Sequence, residues 1–243
     1  MPSIDRDTLF AAVAAARANG LKTVVHVEGW HLVRDAVEAG ASAITHTPTE
    51  PMPEDLAGLM AARNVASIPT LTAHTDFRLF VTEPAVLDDP MARALATPAV
   101  ITPFRSTALI AQFAARRAEL DARAALAYAA VKAMADAGVT ILTGTDSGLP
   151  GTIQGYSMHR ELMKLVEAGL SPWQALAAGT TEAGAFLGRQ YGVTPGSEAN
   201  LLVLDGSPLE DIRNTQRIAY VIHHGAIVNR DALLESELAG LRR

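Results

Sequence analysis

LKTVVHVEGWHLVRDAVEAGASAITH, residues 21–46, decides how the rest of this chain is read. Residues 21–27 are short, aliphatic and β-branched, the composition of a buried strand. Residues 30–39 read as a helix closed by Gly40, because a glycine accepts the left-handed turn that ends a helix. Residues 42–45 give a second short strand, which ends at His46. Strand, helix and strand at this spacing mean parallel strands joined by a crossover.

The pattern extends in both directions. Residues 5–19 predict a helix ended by Gly20, and residues 54–63 another. VASIPTL, residues 65–71, reads as a third strand whose proline marks its end. Residues 72–103 carry prolines at 84, 90, 98 and 103 and read as a long irregular stretch, usually a functional feature in a compact domain. Residues 106–137 read as one long helix stopped by Gly138, and VTILT, residues 139–143, as a fourth strand running into Gly144, Thr145 and Asp146. Helices are expected over 157–168 and 172–186, the second with Ser171 as N-cap and Pro172 in its first turn. From about Gly192 the pattern changes to short strands at 200–204, 218–222 and 226–228, a small β appendage closed by a terminal helix.

Composition narrows the function. A net charge of −6, with no basic cluster larger than a pair, argues against nucleic acid as a partner. No apolar run reaches the roughly 20 residues that span a bilayer, so no membrane partner is expected. The first residues lack an apolar signal core, which points to the cytoplasm. With 0 cysteines there is no thiolate site, so any metal must sit on histidine and carboxylate ligands.

His26, His46 and Asp146 close the first, second and fourth strands. In parallel barrels the strand C-termini converge on one mouth, where the active site is built. Two imidazoles and a carboxylate suit zinc, manganese or iron. A single strand-end histidine is ordinarily a hydrogen-bonded polar group and no more. Three such residues on three strands argue together for a site.

At this point a family resemblance becomes specific. VVHVEGWHLVRDAVEAGASAITH (24–46) resembles the fifth and sixth strands of the amidohydrolase superfamily, each of which contributes a metal-site histidine. AGVTILTGTDSG (137–148) resembles the eighth strand and its aspartate. MHRELMKLVEAGLSPWQALAAGTTEAGAFLG (158–188) resembles the helical pair that follows, and GVTPGSEANLLVLDGSPLEDI (192–212) with VIHHGAIV (221–228) the tail of the small β-sandwich. The resemblance is to the imidazolonepropionase-like branch of cyclic amide hydrolases and peptidases.

It implies an α/β fold: a partial TIM-type (β/α) barrel, family strands five to eight, over residues 1–191. The C-terminal part of a β-sandwich and a terminal helix would occupy residues 192–243. It implies hydrolysis of C–N bonds in a small molecule, a cyclic or non-peptide amide, an amidine or a dipeptide-like compound. His26, His46 and Asp146 become metal ligands and Asp146 also the general acid/base. The ion would be zinc, with manganese or iron as alternatives, and one or two ions in a complete site. His159 and His74 are candidates to line the substrate mouth, against plainer readings as a helix-surface and a solvated loop histidine. His31, His223 and His224 are read as lying outside the site, and Arg160 with Glu161 as a charge pair at a helix start.

The chain also departs from the family. It has no His-x-His motif and no counterpart of the carboxylated lysine, and only four barrel strands can be counted. It is therefore expected to be a truncated reading, one half of a split enzyme needing an N-terminal half, or a half barrel that self-associates. A non-catalytic assembly subunit is the competing function. An unrelated barrel that cradles phosphate on residues 144–151 is a third.

Overall fold

The computed structural model describes residues 4–82, 84–96, 98–148, 151–190, 192–233 and 235. α1 (Arg6–Ala18) starts at Asp5, whose carboxylate accepts from the Thr8 N–H, and Gly20 follows its end in the left-handed region. β1 (Val24–His26), α2 (Trp30–Ala39), β2 (Ala43–Thr45), α3 (Leu56–Ala62) and β3 (Ala66–Ile68) then alternate as expected. The strands pair in parallel in chain order, with Val25 opposite Ile44 and Ile44 opposite Ser67.

The fourth expected strand joins this sheet by one parallel bridge, Ser67 to Ile141. Its hydrogen bonds run from Ser67 N to the Thr140 carbonyl at 2.9 Å and from Leu142 N to the Ser67 carbonyl at 2.8 Å. The next amide, Thr143 N–H, donates instead to the carbonyl of Ala178. VTILT therefore lies beside β3 but forms a contact rather than a ladder.

The stretch 72–103 corrects the expectation of an irregular loop. It holds α4 (Leu71–Thr82), a 3₁₀ turn (Pro84–Asp88), α5 (Pro90–Leu95), α6 (Pro98–Ile101) and a second 3₁₀ turn (Thr102–Arg105). Each proline occupies the first or second residue of its helical turn, where its missing N–H costs nothing. The prolines thus start helices here. The long helix is corrected too: α7 (Thr107–Ala115) and α8 (Arg117–Asp136) break at Arg116. The two halves serve different cores. Leu109, Ile110 and Phe113 pack on a cluster of Val81, Leu87, Ala92, Phe104, Ile153 and Tyr156, whereas Ala127, Val131 and Met134 belong to the main core.

α9 (Tyr156–Glu167) follows, then α10 (Pro172–Gly179) and α11 (Thr181–Phe186), which were expected as one helix. Ser171 and Gln174 form a reciprocal capping box at the start of α10. Thr180 separates the pair because its backbone leaves the helical region (φ −130°, ψ −90°) while its hydroxyl donates to the Leu176 carbonyl.

The main core lies between one face of the parallel sheet and its helices. Val27, Ile44 and Ile141 meet Val33 and Val37 of α2, Leu56 and Met60 of α3, Met134 of α8 and Leu165 of α9. On the other face Ala43, Ala66 and Leu142 form a small cluster with Ile68 and Phe186. The tail is a three-stranded antiparallel sheet of β4 (Leu201–Leu204), β5 (Ile218–His223) and β6 (Ala226–Ile227). It is tied to the parallel-sheet segment by Ile212, which is part of the main core. Residues 230–233 are helical, and the rest of the expected terminal helix lies largely outside the described residues. Among the described residues no helix is long and apolar enough to cross a membrane.

Candidate active site

Three chain segments leave the sheet at the same end, and each leaves through a left-handed residue that is not glycine. His46 follows β2 with φ 74°, Thr70 follows β3 with φ 51°, and Asp146 follows the Ile141 bridge with φ 49°. Side chains with a Cβ resist this region, and β-branched threonine most of all. Backbone strain of this kind persists only where the surroundings impose it, and it gathers at functional sites.

The side chains converge on the mouth that these turns surround. The His26 and His46 rings stand edge to face with centroids 4.6 Å apart. His46 Nε2 lies 3.9 Å from Asp146 Oδ2, and His26 Nε2 lies 3.6 Å from Glu28 Oε1. His74, on the first turn of α4, brings its ring to 5.6 Å from that of His46. The sequence reading left His74 open between mouth and solvated loop; it sits on a helix that looks into the mouth.

His46 is held at its other nitrogen. Its Nδ1 lies 2.6 Å from Thr70 Oγ1, and the Thr70 hydroxyl donates to the Pro69 carbonyl at 2.8 Å. With its own proton committed there, the Thr70 oxygen accepts, so the pattern assigns the imidazole proton to Nδ1. Nε2 is left with a lone pair, 3.9 Å from a carboxylate oxygen of Asp146. Burial holds the His46 pKa below the usual histidine value, with the His26 charge adding and Asp146 and Glu28 opposing. The ring is therefore neutral, the form in which histidine ligates metal.

A bare imidazole nitrogen facing a carboxylate oxygen is a pair of acceptors, which a divalent cation satisfies. Two donors about 2.0–2.1 Å from a tetrahedral zinc stand about 3.3 Å apart, so a side-chain movement of about half an ångström closes the pair onto an ion. The donor chemistry fits; the set is partial. Among the described residues no three His, Asp or Glu side chains stand together as a ready ligand group. His26 is the one turned aside, towards Glu28.

His159 lies elsewhere. It is half-buried on α9, its Nδ1 is buried without a hydrogen-bond partner, and the charges that act on it are those of Asp89 and Arg230. No described contact links it to the mouth. His31 is exposed on α2, and His223 and His224 are exposed beside Asn200 in the tail sheet. Of the glycines at 144–151, Gly144 has a packing reason: a Cβ there would lie 2.4 Å from Ile68 Cγ2.

Two residues were missed. Thr70 carries no sequence signal beyond its position after a strand. Glu161, read as half of a charge pair at a helix start, is fully buried and accepts hydrogen bonds from Leu71 N, Thr72 N and the Thr72 hydroxyl.

A model described as the amidohydrolase family matches residues 1–228. An uncharacterized protein of Mycobacterium tuberculosis is 27% identical over 202 residues, which is 83% of this chain and 46% of that protein. The chain thus spans about half the length of the curated relatives it matches. A solved structure described as a candidate prolidase from Bifidobacterium longum superposes with a TM-score of 0.68 at 25% identity, over 99% of this chain and 56% of that one. A Xaa-Pro dipeptidase with methionine bound in its active site superposes with a TM-score of 0.67 at 23% identity, over 93% and 49%.

Proposed function

We propose that this chain, which belongs to the amidohydrolase family, carries the acid/base half of a metal-dependent active site that hydrolyses a C–N bond in a small, dipeptide-like or cyclic amide. The observation that carries this reading is the approach of His46 Nε2 and Asp146 Oδ2 to 3.9 Å from strained turns on either side of the one at Thr70, with the His26 ring 4.6 Å from that of His46. The prolidase and dipeptidase likenesses favour the dipeptide-like end of the substrate range.

His46, Asp146 and, after turning from Glu28, His26 would hold the ion, zinc before manganese or iron. When bound, such an ion supplies Lewis acidity to the scissile carbonyl and lowers the pKa of water towards about 7. The chain's own residues do the rest. Asp146 is half-exposed at the mouth, where its carboxylate accepts the proton as water adds to the amide carbon and the C–O bond forms. The same proton passes to the leaving nitrogen as the C–N bond breaks, giving an acid and an amine. His74 lines the mouth as a neutral hydrogen-bonding group for the substrate. His159, half-buried on α9, is the second histidine assigned to the substrate.

The edge of the sheet favours a partner. Among the described residues β1 pairs only with β2, and Val24 within it and Leu21 just before it are 48% and 65% exposed. Such an edge invites strand pairing. We assign its occupant to the missing barrel strands, from an N-terminal half or a second copy. A non-catalytic assembly subunit is the second reading, favoured by the same edge.

The test is Zn²⁺ titration calorimetry on the chain, with turnover of Xaa-Pro dipeptides and cyclic amides by the chain alone and with the N-terminal half supplied. Binding of Zn²⁺ that is lost in Asp146→Asn, with chelator-sensitive turnover, is the expected result. Wild-type binding no tighter than that of the Asp146→Asn variant defeats the proposal.

A further inference from the structure

The mouth depends on a carboxylate that never reaches it. Glu161 is 0% exposed on α9. Its Oε1 accepts from Leu71 N at 2.9 Å, and its Oε2 accepts from Thr72 N at 2.8 Å and from Thr72 Oγ1 at 2.9 Å. Leu71 and Thr72 are the first residues of α4, whose leading N–H groups have no partner within the helix. An anion at that end also meets the positive pole of the helix.

The residue immediately before this clamp is Thr70, in a backbone conformation that threonine avoids. Thr70 is held on both sides. Its peptide continues into the Leu71 N–H that Glu161 fixes, and its side chain bridges the Pro69 carbonyl and His46 Nδ1. Release of the clamp lets Thr70 relax to an ordinary φ, which carries its hydroxyl away from His46.

We infer that Glu161 is a positioning residue of the site: by clamping the start of α4 it holds Thr70 left-handed, and Thr70 in turn fixes the tautomer and ring orientation of His46. This deepens the proposed function and rests on it only where a metal is invoked. The plain alternative is a buried helix cap that stabilises α4 and does nothing for His46.

The two are separated by long-range ¹H–¹⁵N spectra of the His46 imidazole and Zn²⁺ titration of the full chain. Wild type, Glu161→Gln, Thr70→Val, Thr70→Ser and the double variant Glu161→Gln/Thr70→Val are compared. The wild type is expected as the Nδ1–H tautomer. Glu161→Gln and Thr70→Val should each populate the other tautomer and weaken Zn²⁺ by roughly 10–100-fold, the usual loss for a group that orients a metal ligand. Thr70→Ser, which keeps the hydroxyl, should restore the wild-type spectrum. The double variant should be no worse than the poorer single one, because both act through one contact.

If Glu161→Gln lowers Tm yet leaves the His46 signals and Zn²⁺ affinity unchanged, the inference is overturned. If Glu161→Gln does not fold, Thr72→Val removes the hydroxyl donor and must move the His46 signals in the same direction; no movement overturns it equally. A wild-type chain without Zn²⁺ affinity ends the hydrolase reading, while the tautomer spectra still decide the role of Glu161.

Discussion

The two ends of the parallel sheet solve the same backbone problem with different residues. Where helices turn back towards the sheet, the left-handed positions after α1, α2, α3 and α8 are Gly20, Gly40, Asn64 and Gly138. Glycine takes this conformation freely and asparagine tolerates it. Where strands open into the mouth, the left-handed residues are His46, Thr70 and Asp146. A residue with a Cβ is disfavoured there by about 1–2 kcal/mol, somewhat less for aspartate. One end is built for stability and the other sacrifices stability to present side chains, the division expected of a barrel whose chemistry sits at its strand C-termini.

Removing a mouth side chain that has few packing partners is the largest break in this contrast. Asp146→Gly and Asp146→Asn are expected to lower Zn²⁺ affinity by more than the roughly 10–100-fold caused by loss of a supporting group. Both should leave stability unchanged or raise it by about 1 kcal/mol, because the strain is relieved. Calorimetry and urea denaturation on the same samples read both quantities. A variant that loses stability together with affinity would make Asp146 a structural residue and remove the contrast.

The opposite end gives the smaller, reciprocal effect. Gly138 has φ 86° and open space where a Cβ would be built, so Gly138→Ala tests the backbone alone. It is expected to cost about 1–2 kcal/mol in urea denaturation with Zn²⁺ affinity unchanged. A neutral Gly138→Ala would mean that the left-handed turns at this end carry no cost, and that those at the mouth are unremarkable too.

The same contrast decides what could be read from the sequence. The glycine-ended helices and short β-branched runs declare the strand ends, so His26, His46 and Asp146 were legible as a converging group. Prolines 84, 90, 98 and 103 misled because a proline that begins a helix and one that forbids it look alike until the following turn is seen. Arg116 and Thr180 break helices whose periodicity runs on through them, since each half packs against a different surface. Glu161 was illegible for a further reason: its partners Leu71 and Thr72 lie 90 and 89 residues earlier, and no local pattern encodes that meeting. Two adjacent opposite charges read as a helix-start pair and carry no sign that Glu161 is buried.

The mouth also titrates, which yields the smallest of the expected effects. Loss of solvent around the ring pushes the His74 pKa down to about 4, the charges of His46 and Arg123 acting in the same direction and Asp146 against them. The ring keeps an open face to solvent, so screening reduces what this means for stability. An unfolded histidine titrates near 6.5, so between about pH 6.5 and about pH 4 the unfolded chain binds the proton and the folded chain resists it. Stability is then complete above about pH 6.5 and declines as the solution is acidified through that window. The slope due to His74 should fall well short of the roughly 1.4 kcal/mol per pH unit that a fully buried group would give. His74→Gln should flatten the decline in part, His46 supplying a remainder of the same sign because its pKa is lowered as well. Urea midpoints at about pH 7 and about pH 5 for wild type and His74→Gln measure this difference. An identical decline in both would take His74 out of the crowded mouth, leaving His46 to face Asp146 without it.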